Sequence, residues 1–131
     1  MVDELASNSQ TEKWDVQLRK GTLELVVLGA LWGGEKYGLE LLRLLHRYPT
    51  MQITEGTLYP LLDRLKRDKL ISARWHQEGE SRPRKYFLLT ELGEQKLLEL
   101  QAKWRQSVED ISALLSQGKA DSQKTNGASD D

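Results

Sequence analysis

Hydroxyl, phenol, guanidinium and ammonium groups gather in two short stretches of this chain. The first, Thr54-Glu-Gly-Thr-Leu-Tyr-Pro-Leu-Leu-Asp-Arg-Leu-Lys-Arg67, carries Thr54, Thr57, Tyr59, Arg64, Lys66 and Arg67. The second, Arg82-Pro-Arg-Lys85, puts three cations into four positions. Such groups donate hydrogen bonds and carry positive charge, which suits holding a polyanion rather than breaking a bond. No nucleophile–base pair, glycine-rich phosphate loop or carboxylate cluster accompanies them, so an enzyme is not expected. Cysteine is absent, and His46 and His76 stand far apart in the chain. Neither a metal site nor a cofactor is expected.

The formal net charge of the 131 residues is −1, which by itself argues mildly against a partner made of phosphates. Phosphate attraction is local, however, and is screened over ~8–10 Å. From Thr54 to Thr90 there are eight Lys or Arg against five Asp or Glu, a surplus of three cations. From Glu91 to Ser116 there are three basic residues against five acidic ones. The chain is polarised, with a cationic middle suited to DNA and an acidic segment suited to something else. Apolar residues make up 38%, enough for one core. No run approaches the ~18 apolar residues of a membrane span, and the polar, acidic start lacks a signal peptide's character. The protein is expected to be cytoplasmic.

These groups need elements to position them. Residues 1–9 are small and polar and are expected to be unstructured. Gln10 to Arg19 suits a short helix with Trp14 and Leu18 on one side, and Leu23 to Trp32 a helix apolar nearly all round. In so small a domain, one face of that second helix can meet the core while another, with Leu23 and Val27, needs a second subunit. Glu35-Lys36-Tyr37-Gly38 reads as a turn, and Leu39 to Tyr48 as a helix stopped by Pro49. Leu58, Leu61, Leu62 and Leu65 then fall at the i, i+3, i+4, i+7 spacing of one buried helical face. Ile71, Ala73 and Trp75 alternate with Ser72, Arg74 and His76, the period of a half-buried strand. Gln77 to Pro83 is a polar loop containing Gly79, and Arg84 to Leu89 is the returning strand. The fold expected is mainly α with a small β-hairpin: a winged helix-turn-helix over residues 10–90, including an N-terminal helix.

Thr90 is placed to cap a further helix over residues 91–116. Within it Leu97, Leu100, Trp104, Val108, Ile111 and Leu115 step by three or four. Some 26 residues at 1.5 Å rise span ~39 Å, too long for so small a domain to cover the stripe. Coiled-coil-like spacing without an internal partner implies dimerisation. Residues 117–131 lack large apolar side chains and are expected to be an unstructured tail.

Each candidate contact has a plainer use beside the functional one. Thr54 suits a helix cap, and the electropositive helix start also attracts phosphate. Pro60 removes the hydrogen bond to Gly56, so either the helix bends there or its regular part starts nearer Thr57. Both leave Gly56, Thr57 and Tyr59 at the exposed tip, where a glycine allows close approach to a groove. Tyr59 serves either as a packing residue or as a phosphate donor, and Arg64 either as an ion-pair partner of Asp68 or as a DNA contact. Arg82, Arg84 and Lys85 either guard a hairpin edge with charge or grip a backbone or minor groove. Trp104 fills a subunit seam or stacks on a planar effector. The negative net charge keeps a second function open, a winged helix that binds an acidic protein partner without DNA.

Arg19-Lys-Gly-Thr-Leu-Glu-Leu25, Tyr37-Gly38, Glu55-Gly-Thr-Leu-Tyr-Pro-Leu-Leu62, Arg64-Leu65 and Arg84-Lys-Tyr-Phe-Leu-Leu-Thr90 with Gly93 together resemble the PadR family of bacterial transcriptional regulators. The resemblance runs from about Leu18 to Leu115, and its single C-terminal helix is like that of the short subfamily. It implies a homodimeric repressor on a palindromic operator. The contacts to double-stranded DNA would come from the Lys36–Tyr37 turn, the Thr54–Arg64 helix and the basic hairpin. It also implies a cavity between subunits for a flat aromatic or hydrophobic effector, with Trp104 nearby. One departure stands out: Asp68-Lys69-Leu70 lies where the family often has a glycine before the first strand. The tail after Ser116 has no counterpart in the family pattern.

Overall fold

The computed structural model describes the backbone of residues 2–129 and the side chains of residues 12–125. In chain order the elements are α1 (Val2–Leu31), β1 (Lys36–Tyr37), α2 (Gly38–Leu45), a 3₁₀ turn (Pro49–Met51), α3 (Glu55–Arg67), β2 (Ile71–His76), β3 (Arg84–Leu89) and α4 (Glu91–Ser129). They fall into two compact units, one running through Leu97 and the other from Leu98 onward.

The first unit is built around leucine. Leu28 and Leu31 of α1, Leu41 and Leu45 of α2, and Leu58, Leu62 and Leu65 of α3 are buried, together with Ile71 and Phe87 of the sheet. Each such side chain removed from water contributes about 1.5–3 kcal/mol. Leu58, Leu62 and Leu65 form the face that their spacing predicts, while Leu61 is only half-buried. The opposite side of α3 stays exposed because Thr57, Asp63, Lys66 and Arg67 fall there.

The sheet is antiparallel with the order β1-β3-β2. Lys36 and Tyr37, expected in a turn, are a short strand pairing with Phe87 and Tyr86. Two residues are too few to show a period of two, so nothing local marks them as a strand. Side chains alternate across the sheet. One face therefore carries the pairs Ile71–Leu89, Ala73–Phe87 and Trp75–Lys85, and the other Ser72–Leu88, Arg74–Tyr86 and His76–Arg84. Trp75 was expected to continue the buried row begun by Ile71, but it is 69% exposed. It lies at the outer end of its strand, beyond the reach of the core.

Both terminal helices are longer than their apolar patterns suggest. α1 is continuous from Val2 to Leu31, through segments expected to be an unstructured start and two separate helices. No proline interrupts it, and Gly21 costs only about 1 kcal/mol in a helix. α4 continues to Ser129, through what was expected to be a tail. There Gln117 bonds Asp121 (3.0 Å) and the Thr125 hydroxyl donates to the Asp121 carbonyl (2.9 Å). Local pairs one turn apart thus support a helix that has no apolar face.

The start of α4 is fastened to the turn that leaves α3. Thr90 caps it as expected, its hydroxyl accepting the Gly93 N–H at 3.0 Å. The same hydroxyl lies 2.7 Å from the Lys69 carbonyl, and the Thr90 N–H donates to the Leu70 carbonyl at 3.1 Å. A Cβ on Gly93 would sit 1.9 Å from that Leu70 oxygen, so only glycine fits. Lys69 itself takes φ +63°, the left-handed conformation that suits glycine. The departure seen at Asp68-Lys69-Leu70 thus keeps the glycine-type turn with a lysine in it.

Candidate nucleic-acid interface

The first part of the interface is the start of α3. Thr54 occupies the N-cap position with extended backbone (φ −93°, ψ 164°), and its carbonyl accepts from Thr57 and Leu58 at 3.1 and 3.0 Å. The expectation that its side chain caps the helix is not met. The Thr54 hydroxyl lies 3.3 Å from the Thr57 hydroxyl instead, and no side chain caps the helix. The Glu55 and Gly56 N–H groups of the first turn are thereby left open to an outside acceptor such as a phosphate oxygen.

Pro60 lies inside the helix, which starts at Glu55 and not near Thr57. A Cβ on Gly56 would meet only the Thr54 hydroxyl, at an ordinary 3.6 Å, so no crowding inside the protein requires glycine there. Tyr59 takes the packing use while remaining accessible. It is exposed, yet its ring lies over Gly38 so closely that a Cβ there would be 2.6 Å away. The start of α2 is thus held against the outer side of α3. Arg64 is less free than expected. It pairs with Asp68 at 3.8 Å and, across to α1, with Glu24 at 3.6 Å, a partner that sequence spacing could not reveal. Both are surface pairs of small energetic value. Pro60, Asp63, Lys66 and Arg67 line a shallow hollow on the exposed side of the helix.

The second part is the β2–β3 hairpin, the wing. Its loop turns through Glu78–Ser81, with the Ser81 N–H on the Glu78 carbonyl at 3.1 Å and Gly79 at φ +60°. Arg82 and Arg84 are exposed and Lys85 is half-buried, its ammonium 5.5 Å from the Phe87 ring centre. The Arg84 guanidinium sits 4.4 Å over the Tyr37 ring, which meets Tyr86 edge-on at 5.5 Å. Tyr37 therefore works as a platform that orients Arg84. Lys36 reaches only the Gly34 carbonyl, at 3.5 Å.

A third feature was missed by the sequence. Arg74 forms a two-pronged ion pair with Glu35 and lies 5.6 Å from the Tyr86 ring centre. It ties the segment before β1 to the wing strand. Hydrogen bonding from Arg74 lowers the Glu35 pKa against a smaller opposing effect of desolvation, with the charges of Arg74 and His76 adding. The reciprocal hydrogen bond raises the pKa of Arg74. Only strand register brings these residues together, and register is not written in spacing along one chain.

The residues expected to hold a second subunit divide into two groups. Leu23 (8% exposed), Val27 (0%) and Leu97 (6%) are enclosed in this subunit's own core, which needs their area and leaves none for a partner. Trp14 and Leu18 on α1, and Trp104, Val108, Ile111 and Leu115 on α4, are exposed, while Leu100 is partly covered. Leu98 and Leu114 add to the exposed apolar surface of α4 without having been singled out. Among the described residues, no helix is long and apolar enough to cross a membrane, and no group of acidic, histidine or cysteine side chains could hold a metal.

The pattern of the transcriptional regulator PadR-like family matches residues 27–99. A PadR family transcriptional regulator from Eggerthella lenta superposes with a TM-score of 0.76 at 33% identity, over 85% of this chain and 96% of the other. A PadR-like regulator from Bacillus cereus gives 0.69 at 32% identity, over 76% and 96% of the two chains. An uncharacterised protein of Lysinibacillus sphaericus is 30% identical over 101 residues, which is 76% of this chain and 92% of that one. With an exposed helix start beside a cationic wing and a family match over most of the first unit, this chain belongs to the PadR-like family of DNA-binding transcriptional regulators.

Proposed function

We propose that the protein is a cytoplasmic, homodimeric repressor that closes on a palindromic operator. Thr57, with Gly56 allowing close approach, enters the major groove, while the Tyr59 hydroxyl and the uncapped start of α3 meet phosphates. Arg82, Arg84 and Lys85 of the wing, with Lys36 and Tyr37 beside them, take neighbouring backbone. Arg64, shared between Glu24 and Asp68, contributes at the edge. One observation supports the pairing of subunits above others: the exposed apolar row Trp104, Val108, Ile111 and Leu115 on α4. Trp14 and Leu18 extend the same need for cover to α1. A two-fold dimer sets its recognition helices about 34 Å apart, one turn of duplex.

An effector relieves repression only by binding the two states of the dimer unequally. Trp104 on the seam suits a flat hydrophobic molecule, and binding there would pivot the paired helices.

Footprinting on the protein's own upstream DNA, with sedimentation of the free protein, tests both halves of this reading. A symmetric protected site and a dimer are expected. A folded monomer at micromolar concentration that ignores every duplex in low salt overturns it. Titration of Trp104 fluorescence with planar hydrophobic compounds tests the effector, and silence across the panel from protein that still binds DNA removes it.

A further inference from the structure

The most exposed of the four tryptophans is on the wing, and the cationic pattern does not account for it. Trp75 stands at 69% exposure and is directly opposite Lys85 in the β2–β3 ladder. The inner pairs on the same face, Ile71–Leu89 and Ala73–Phe87, cover the core, and α3 packs against this strand. Trp75 and Lys85 continue that face outward, past the point where the protein can cover it. An indole left in water forgoes a large burial energy, so its surroundings indicate what could cover it. Lys85 adjoins it across the ladder and Arg82 lies in the loop beyond, while the loop acid Glu78 faces His76 at 3.6 Å. A partner for this spot must offer an apolar patch bordered by negative charge. Duplex DNA does so, with deoxyribose between successive phosphates.

We infer that Trp75 is a DNA-contacting residue of the wing, its indole packing on a deoxyribose while Lys85 beside it meets the adjoining phosphate. The inference rests on the DNA-binding reading above and adds an apolar grip to a contact otherwise made of charge. An indole is suited to the place because its face is apolar and its N–H donates to an acceptor at the rim.

The test uses the full chain and a duplex of its own upstream DNA, with an unrelated duplex alongside. Trp75→Ala is expected to weaken binding to both by roughly tenfold. The melting temperature and the slope of log K against log salt should both stay as in the parent. Trp75→Phe is expected to recover most of the loss. In a Trp14→Phe, Trp32→Phe, Trp104→Phe background, the remaining emission from Trp75 should change as duplex saturates the protein. The inference is overturned if Trp75→Ala binds as the parent does, if its loss comes with a shallower salt slope, or if the emission is unmoved while the protein shifts DNA. In each of those cases the DNA-binding reading survives. Failure of the parent protein to bind any duplex would instead remove that reading and this inference together.

Discussion

Gly93 and Lys69 show opposite sides of backbone fit within a few ångströms of each other. A methyl group on Gly93 would fall 1.9 Å from the Leu70 carbonyl oxygen and 2.9 Å from Leu89, so the backbones must part to admit it. Gly93→Ala is expected to cost at least about 2 kcal/mol in urea unfolding. Lys69, at φ +63°, holds a conformation that a side chain disfavours. Lys69→Gly is expected to stabilise by roughly 0.5–1 kcal/mol, raising the unfolding midpoint. Side-chain partners were harder to foresee than side-chain types. The sequence marked Thr54 as a hydroxyl at a helix start, but its neighbour Thr57 takes that hydroxyl. It marked Arg64 as basic and exposed, but Glu24, forty residues earlier, neutralises part of its charge.

On the scale of elements, the proposed function divides the work of recognition between α3 and the wing. Replacing Arg84 and Lys85 with Ala is expected to weaken all duplexes alike and to flatten a salt slope of about −7, the value for some four phosphates per subunit. Thr57→Ala should leave that slope alone and change which bases are preferred. Binding measured over a salt series on matched and altered sites separates the two. The wing's tie to Glu35 predicts a dependence on acid. Because Arg74 holds the Glu35 carboxyl below its usual 4.5, the tie is complete above that value and is lost as pH falls through the lowered one. Protection of the β2 amides, relative to their intrinsic exchange at each pH, should therefore fall below pH 4.5, and Glu35→Gln should abolish that pH response. The helices α2 and α3 and the hairpin were legible because their apolar spacing is regular. β1 was not, being two residues long, and Trp75 was assigned inward because alternation fixes a face but not where the core ends.

For the whole molecule, the prediction concerns self-association. Ile111→Asp with Leu115→Asp is expected to weaken the proposed dimer by roughly a hundredfold, as read by sedimentation. The melting temperature of the first unit should hardly change. Leu97→Asp would instead unfold that unit, since Leu97 is buried in its own core. The helical stripe was legible as a repeat, but repetition alone could not separate its inner first member from its outer ones. The root of α4 has a mechanical implication. Thr90 holds the carbonyls of Lys69 and Leu70, and Gly93 packs against the Leu70 oxygen; through these residues the chain departs from α3. A shift of the first turn of α4 would therefore be passed straight to the end of α3 through these shared hydrogen bonds.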